Sequence, residues 1–165
     1  MKKIFIFIVF FTVSIVNAQA FKGKEDTKFD VTATIQEHGS GIRISNDYGL
    51  GENISLGIAA SYLLSVDRDG LGNKPDFGDR ADIKLRFNAN IGNVFNVDEK
   101  LDIYPGLDLG LRNFGAHLGF RYFFTEGFGV VSEIGFPIAK YKPEAIGFER
   151  LNNQFTFNIG ASFNL

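Results

Sequence analysis

The chain has no cysteine, no tryptophan, one methionine and only four prolines in 165 residues. Without cysteine it can hold no disulfide, no zinc–thiolate site and no lipidated lipoprotein cysteine. A positive charge excess is missing too: 17 basic residues stand against 19 acidic ones, which argues against a nucleic-acid partner. Two histidines offer no metal-ligand spacing, and the glycines at 70 and 72 lack the strand and helix context of a phosphate loop. Neither metal nor cofactor is therefore expected. Helical periodicity also fails to persist over any long stretch.

Phenylalanine and glycine are abundant instead, at 19 each. A Phe- and Gly-rich chain without long helical patterns reads as all-β. Its first residues read as a secretory signal peptide, 1–18. Lys2 and Lys3 supply the positive start, 4–16 the apolar run, and Val16, Asn17 and Ala18 a small-residue cleavage site before Gln19. The apolar run is short for a spanning helix. Removal of 1–18 takes away two lysines and no acid, so the mature domain, 19–165, is slightly more acidic.

Beyond residue 27 apolar residues alternate with period 2. In the last segment Phe155, Phe157, Ile159, Ala161, Phe163 and Leu165 share one face, and Thr156, Asn158, Gly160, Ser162 and Asn164 the other. The same pattern predicts strands at 28–37, 40–48, 53–66, 80–92, 100–111, 115–125 and 128–139, making eight. The connections at 66–79 and 140–153 are long and polar, whereas 48–52 and 125–127 are tight. With the N-terminus in the periplasm, both long connections fall outside the cell, as in outer-membrane barrels, and an even strand count returns the C-terminus to the periplasm.

Alternation alone fits a soluble ligand-binding barrel as well as a membrane barrel. Charge and volume separate them. One face carries no charge, and only Asn46 and Ser132 on it are plainly polar. The other carries Asp30, Arg43, Asp47, Asp82, Lys84, Arg86, Asp102, Asp108, Arg121 and Glu133. An eight-stranded barrel is just wide enough inside for side chains to fill it, so the bulky apolar face must point outward. Ten residues at ~3.3 Å each, tilted by ~40°, span roughly 25 Å, the height of an outer-membrane apolar band. The expectation is an eight-stranded antiparallel up-and-down transmembrane β-barrel.

Asn158, Gly160, Phe163 and Leu165 have the spacing of the C-terminal assembly signal of outer-membrane barrels, with leucine replacing the usual terminal aromatic. Residues 115–136 resemble a hairpin of the outer-membrane β-barrel domain family, and the layout over 27–165 is similar to the small barrels of outer membrane proteins A and X. The resemblance implies outer-membrane localisation, surrounding outer-membrane lipid and transient engagement of the barrel assembly machinery. It says little of activity, because this fold carries structural proteins, adhesins and a few lipid-modifying enzymes.

The inward charges read first as a lumen network, acids and bases satisfying one another where water is scarce, with His117 bonded to a nearby aspartate. Six acids face four bases, leaving two carboxylates for water, a cation or protonation to balance. Their functional alternative is a narrow pore, with Arg43, Arg86 and Arg121 set against Asp102, Asp108 and Glu133. A second alternative is an outer-leaflet lipid-modifying enzyme using Glu37, His38 and Ser40 at the rim, which have the right types for nucleophilic catalysis. Tyr48, Tyr62, Tyr122 and Tyr141 include outward positions suited to the membrane interface, while Tyr104 faces inward. The expected role is non-catalytic, structural or surface-interacting, with an extracellular ligand meeting the long loops and Phe77, Phe148 and Leu151 as apolar anchors.

Overall fold

The computed structural model describes residues 19–68, 72–94 and 98–165. The signal peptide assigned to 1–18 lies outside these, as do 69–71 and 95–97 within two connections. Eight antiparallel strands follow one another around a closed barrel: β1 (Thr27–Gln36), β2 (Gly39–Gly49), β3 (Ile54–Val66), β4 (Ala81–Ala89), β5 (Leu101–Gly110), β6 (Asn113–Phe123), β7 (Phe128–Lys140) and β8 (Thr156–Asn164). β8 pairs with β1 from Lys28↔Asn164 to Gln36↔Thr156, so the sheet has no open edge. The fold is an all-β, up-and-down barrel.

Several strand ends differ from the alternation pattern, two of them with a clear local cause. The fourth strand, expected through residue 92, stops at Ala89, because the Asn90 N–H donates to the Asn53 carbonyl and Gly92–Val94 turns as a 3₁₀ helix. The sixth, expected from 115, begins at Asn113, where a bulge between Phe114 and Gly115 breaks the strict alternation that marked the segment.

Burial is inverted relative to a water-soluble domain. Val31, Ile44, Ile58, Leu85, Leu107, Phe120, Val130 and Ile159 are 41–55% exposed on the outer surface, whereas Asp30, Asp47, Arg86, Arg121 and Glu133 are at most 3% exposed inside. Among the described strand residues the one exposed charged side chain is Lys140, at the last position of β7; between the strand ends the outer face carries no charge. Such a surface is costly in water and suited to hydrocarbon.

Both mouths of the barrel are covered. At the terminal mouth, where β1 begins and β8 finishes, Ala20 is buried beside the inward Phe123, and Phe21, next in sequence, is buried as well. This segment is tied down by Ala20 N–H to Glu99 O at 2.7 Å, Glu25 N–H to Gly49 O at 2.9 Å and Gly49 N–H to Asp26 O at 2.7 Å. At the opposite end the β7–β8 connection folds inward at Leu151, Asn152 and Asn153. Leu151, expected as an exposed loop anchor, is only 3% exposed because it packs down into this mouth. Phe77, in the short helix α1 (Phe77–Arg80), stays 73% exposed and stacks at 5.3 Å on Tyr62.

Candidate functional site: the polar lumen and its rim

Alternation along each strand aims one residue in two at the barrel axis, and glycines make the space that the larger inward groups use. Tyr104 is the register partner of Gly119, His117 of Gly106 and Gly135, and Asp47 of Gly57. A Cβ on Gly119 would collide with the Tyr104 ring, one on Gly106 with the His117 imidazole, and one on Gly57 with the Asp47 carboxylate. Large and small side chains therefore interlock across neighbouring strands.

Two arginines organise the interior. Arg121 donates to Asp30 Oδ2 at 2.7 Å and Oδ1 at 3.3 Å, donates to Asp47, and lies 3.9 Å from Asp102. Its guanidinium carbon sits 4.1 Å from the centre of the Tyr104 ring. Arg86 donates to Glu133 Oε2 at 2.6 Å and approaches Asp47 at 3.5 Å, and Arg43 reaches Glu133 Oε1 at 2.9 Å. Asp30 also accepts from Ser162 Oγ and Ser45 Oγ, at 2.7 and 3.1 Å, and the Tyr104 hydroxyl donates to Glu133 at 3.3 Å. These charge-assisted bonds offset the large cost of removing the ions from water.

A second branch, running through His117 and three amide or hydroxyl side chains, continues the network. His117 Nδ1 lies 3.1 Å from Asp108, and Nε2 lies 2.8 Å from Asn88 Oδ1. From there Asn88 Nδ2 donates to Ser55 Oγ at 3.0 Å, Ser55 to Asn90 Oδ1 at 2.9 Å, and Asn90 Nδ2 to Asp102 at 2.7 Å. Asp82 and Lys84 stand apart near the loop-capped mouth, 4.0 Å from each other. Around Arg43, Asp82, Lys84, Asp108, Glu133 and Asn158 only about 20 Å3 of space remains, room for about one water.

The alternation reading overlooked two charged members. Lys28 and Asp26 are buried at the terminal mouth, with Lys28 Nζ 2.7 Å from Asp26 Oδ2. Lys28 shares the parity of Asp30 on β1, a signal present in the sequence. Asp26 lies before the first strand, where periodicity carries no information. Counting both, seven lumen acids face five bases, so the excess of two carboxylates is unchanged.

The mouth away from the termini is closed by hydrogen bonds to the folded-in connection. Asn113 Nδ2 donates to Asn152 O and Asn153 Oδ1, both at 3.0 Å, and Asn152 N–H donates to Gln36 Oε1 at 3.2 Å. Asn152 Nδ2 donates to Asp79 O at 3.1 Å and Arg80 O at 3.3 Å. Asn152 has φ +59°, a backbone state that asparagine tolerates better than most residues. At the rim, His38 lies between Asp67 at 3.1 Å and Glu37 at 3.5 Å. Ser40 instead shares the outward face of β2 with Ile42 and Ile44, so the three residue types expected for nucleophilic catalysis do not converge. Beside His38, a cleft of about 200 Å3 is lined by Arg68, Phe148, Arg150 and Gln154.

Of the C-terminal motif, Asn158 points inward and is buried. A Cβ on Gly160 would strike the β1 backbone at Val31 and Thr32. Phe163 faces outward, 5.7 Å from the Phe128 ring, and Leu165 is exposed while its N–H donates to Thr27 O at 3.0 Å. On the outer surface Tyr48, Tyr122 and Tyr141 are exposed, and Tyr104 is fully buried inside.

Comparison with known proteins places the architecture. A family described as "Family of unknown function (DUF6646)" matches residues 9–165. No curated protein sequence matches. Among solved structures, the N-terminal β-barrel domain of Pseudomonas aeruginosa OprF is 14% identical, with a TM-score of 0.61 over 87% of this chain and 100% of that one. A de novo designed transmembrane β-barrel is 9% identical, with a TM-score of 0.58 over 87% of this chain and 98% of the design. At these identities the likeness is one of fold: a small membrane-type β-barrel.

Proposed function

The chain belongs to DUF6646, a family of unknown function, and we propose that its members of this form are integral outer-membrane barrels with a structural or surface-interaction role. The observation that carries this reading is the inverted burial: a belt of exposed aliphatic and aromatic side chains encloses a lumen packed with paired charges. Lipid is the medium in which both halves of that arrangement are favourable. The insertion signal at Asn158, Gly160, Phe163 and Leu165 and the leader at 1–18 complete the export route on this reading, with the barrel assembly machinery as a transient partner.

Contact with the outside belongs to the connections at 66–79 and 140–153, with Phe77 as an exposed apolar anchor and Phe148, half-exposed, lining the rim cleft. The reading is of a non-conducting and non-catalytic barrel, supported by the arginine–carboxylate network across the lumen and by the covering of both mouths. Heat-modifiable migration tests the membrane barrel. The unboiled, membrane-extracted protein is expected to run apart from the boiled one, and identical migration would count against a stable barrel. An epitope inserted after Gly147 tests the orientation, since it is expected to be protease-accessible in intact cells. Reconstituted liposomes are expected to show no ion flux, with or without Arg121→Ala.

A further inference from the structure

At the terminal mouth a buried amine, an amide and a carboxylate meet across the seam that closes the barrel. Lys28 on β1 and Asn164 on β8 are register partners, and Lys28 Nζ donates to Asn164 Oδ1 at 3.0 Å. Asp26 approaches the same Nζ at 2.7 and 2.8 Å through its two oxygens. The side chains of Lys28 and Asp26 are 1% and 2% exposed. Phe123 presents its ring 4.9 Å from Nζ, and Phe21 and Ala20 are buried at the same mouth. A second hydrogen bond, Asn164 Nδ2 to Glu126 O at 3.1 Å, holds the amide in place.

From this arrangement we infer that Lys28 and Asn164 form an autocatalytic isopeptide cross-link between the first and last strands. A buried amine held against a half-buried amide, with a buried carboxylate positioned to move protons, has the components of nucleophilic acyl transfer. Asp26 takes a proton from the Lys28 ammonium, and the freed Nζ lone pair attacks Cγ of Asn164. The Cγ–Nδ2 bond then breaks as a new Cγ–Nζ amide forms. Both protons that Nζ gives up pass through Asp26 to Nδ2, which departs as ammonium, and Asp26 ends as a carboxylate that still accepts the Lys22 N–H. No oxidant, metal or cofactor enters the step. The product ties β1 to β8 at the place where a barrel would otherwise unzip.

The test uses the full-length protein extracted folded from membranes. Peptide mass spectrometry is expected to find Lys28 joined to Asn164, with the linked pair lighter by one ammonia and Lys28 resistant to trypsin. Intact mass alone is insufficient, since cyclisation of an N-terminal Gln19 would lose the same mass. Asn164→Ala and Asp26→Asn should each retain heat-modifiable migration and lack the link. After boiling, the cross-linked wild type, being cyclic from 28 to 164, should run faster than either variant. Unmodified Lys28 and Asn164 peptides from folded wild type would overturn the inference, as would a link undiminished in Asp26→Asn.

Discussion

The Tyr104 ring occupies the space a side chain on Gly119, its register partner across β5 and β6, would need, and the Arg121 guanidinium lies 4.1 Å from the ring centre. The phenol is thus held between a glycine backbone and a cation, at the level where Arg121 gathers Asp30 and Asp47.

Gly119→Leu should displace Tyr104 and disturb the arginine behind it. Overpacking of this kind costs about 1–3 kcal/mol, so the variant is expected to lose its fast-migrating gel form at a lower temperature than wild type. Gly127→Leu, at a turn with nothing near its Cβ, serves as control and should leave that temperature unchanged.

Arg121→Met leaves Asp30 and Asp47 buried without their shared cation. Breaking a buried ion pair from one side costs about 3–5 kcal/mol. Urea unfolding in detergent micelles should show a large loss for Arg121→Met and partial recovery when Asp30→Asn is added. Equal losses in the single and double variants would show that the pairing is not what stabilises this level.

Ile58→Arg places a charge near the middle of β3, at a position half exposed on the apolar belt. A lipid-facing arginine at the midplane costs about 2–4 kcal/mol, so folding into vesicles should weaken by that amount. In the same assay Ser61→Thr, which adds a single methyl on the lumen side of β3, should have a much smaller effect. Identical folding of Ile58→Arg and wild type would remove this face from lipid.

Asn152→Ala removes the donor to Asp79 and Arg80 and trades a residue tolerant of φ +59° for one that is not. The connection at 140–153 should become more sensitive to limited proteolysis while the strands remain protected. Liposome conductance should stay at background, because the substitution leaves the Arg86–Glu133 pair at 2.6 Å in the lumen untouched.

Much of the barrel was legible in the chain because strand periodicity is a local property. Phe157, Ile159, Ala161 and Phe163 announce an outward face without reference to any other strand. Inward charges such as Arg86 and Glu133 were legible for the same reason, whereas their pairing was not, since partners 47 residues apart meet only after closure. Lys28 carried the correct parity but stood at a strand end, and Asp26 lay where no period runs. Leu151 shows the opposite failure: its composition suits a surface loop, and only the fold-back of the β7–β8 connection buries it.

What the sequence determines by itself is therefore the inside and outside of each strand, the number of strands and the absence of charge from the outer face, all set by alternation residue by residue. Tertiary structure alone decides which carboxylate each arginine meets, how Asn152 and Ala20 cover the two mouths, and that Lys28, Asp26 and Asn164 share one site. The physical reason is closure: the hydrogen-bonded register of β1 against β8 sets every cross-barrel distance, and no local pattern contains it.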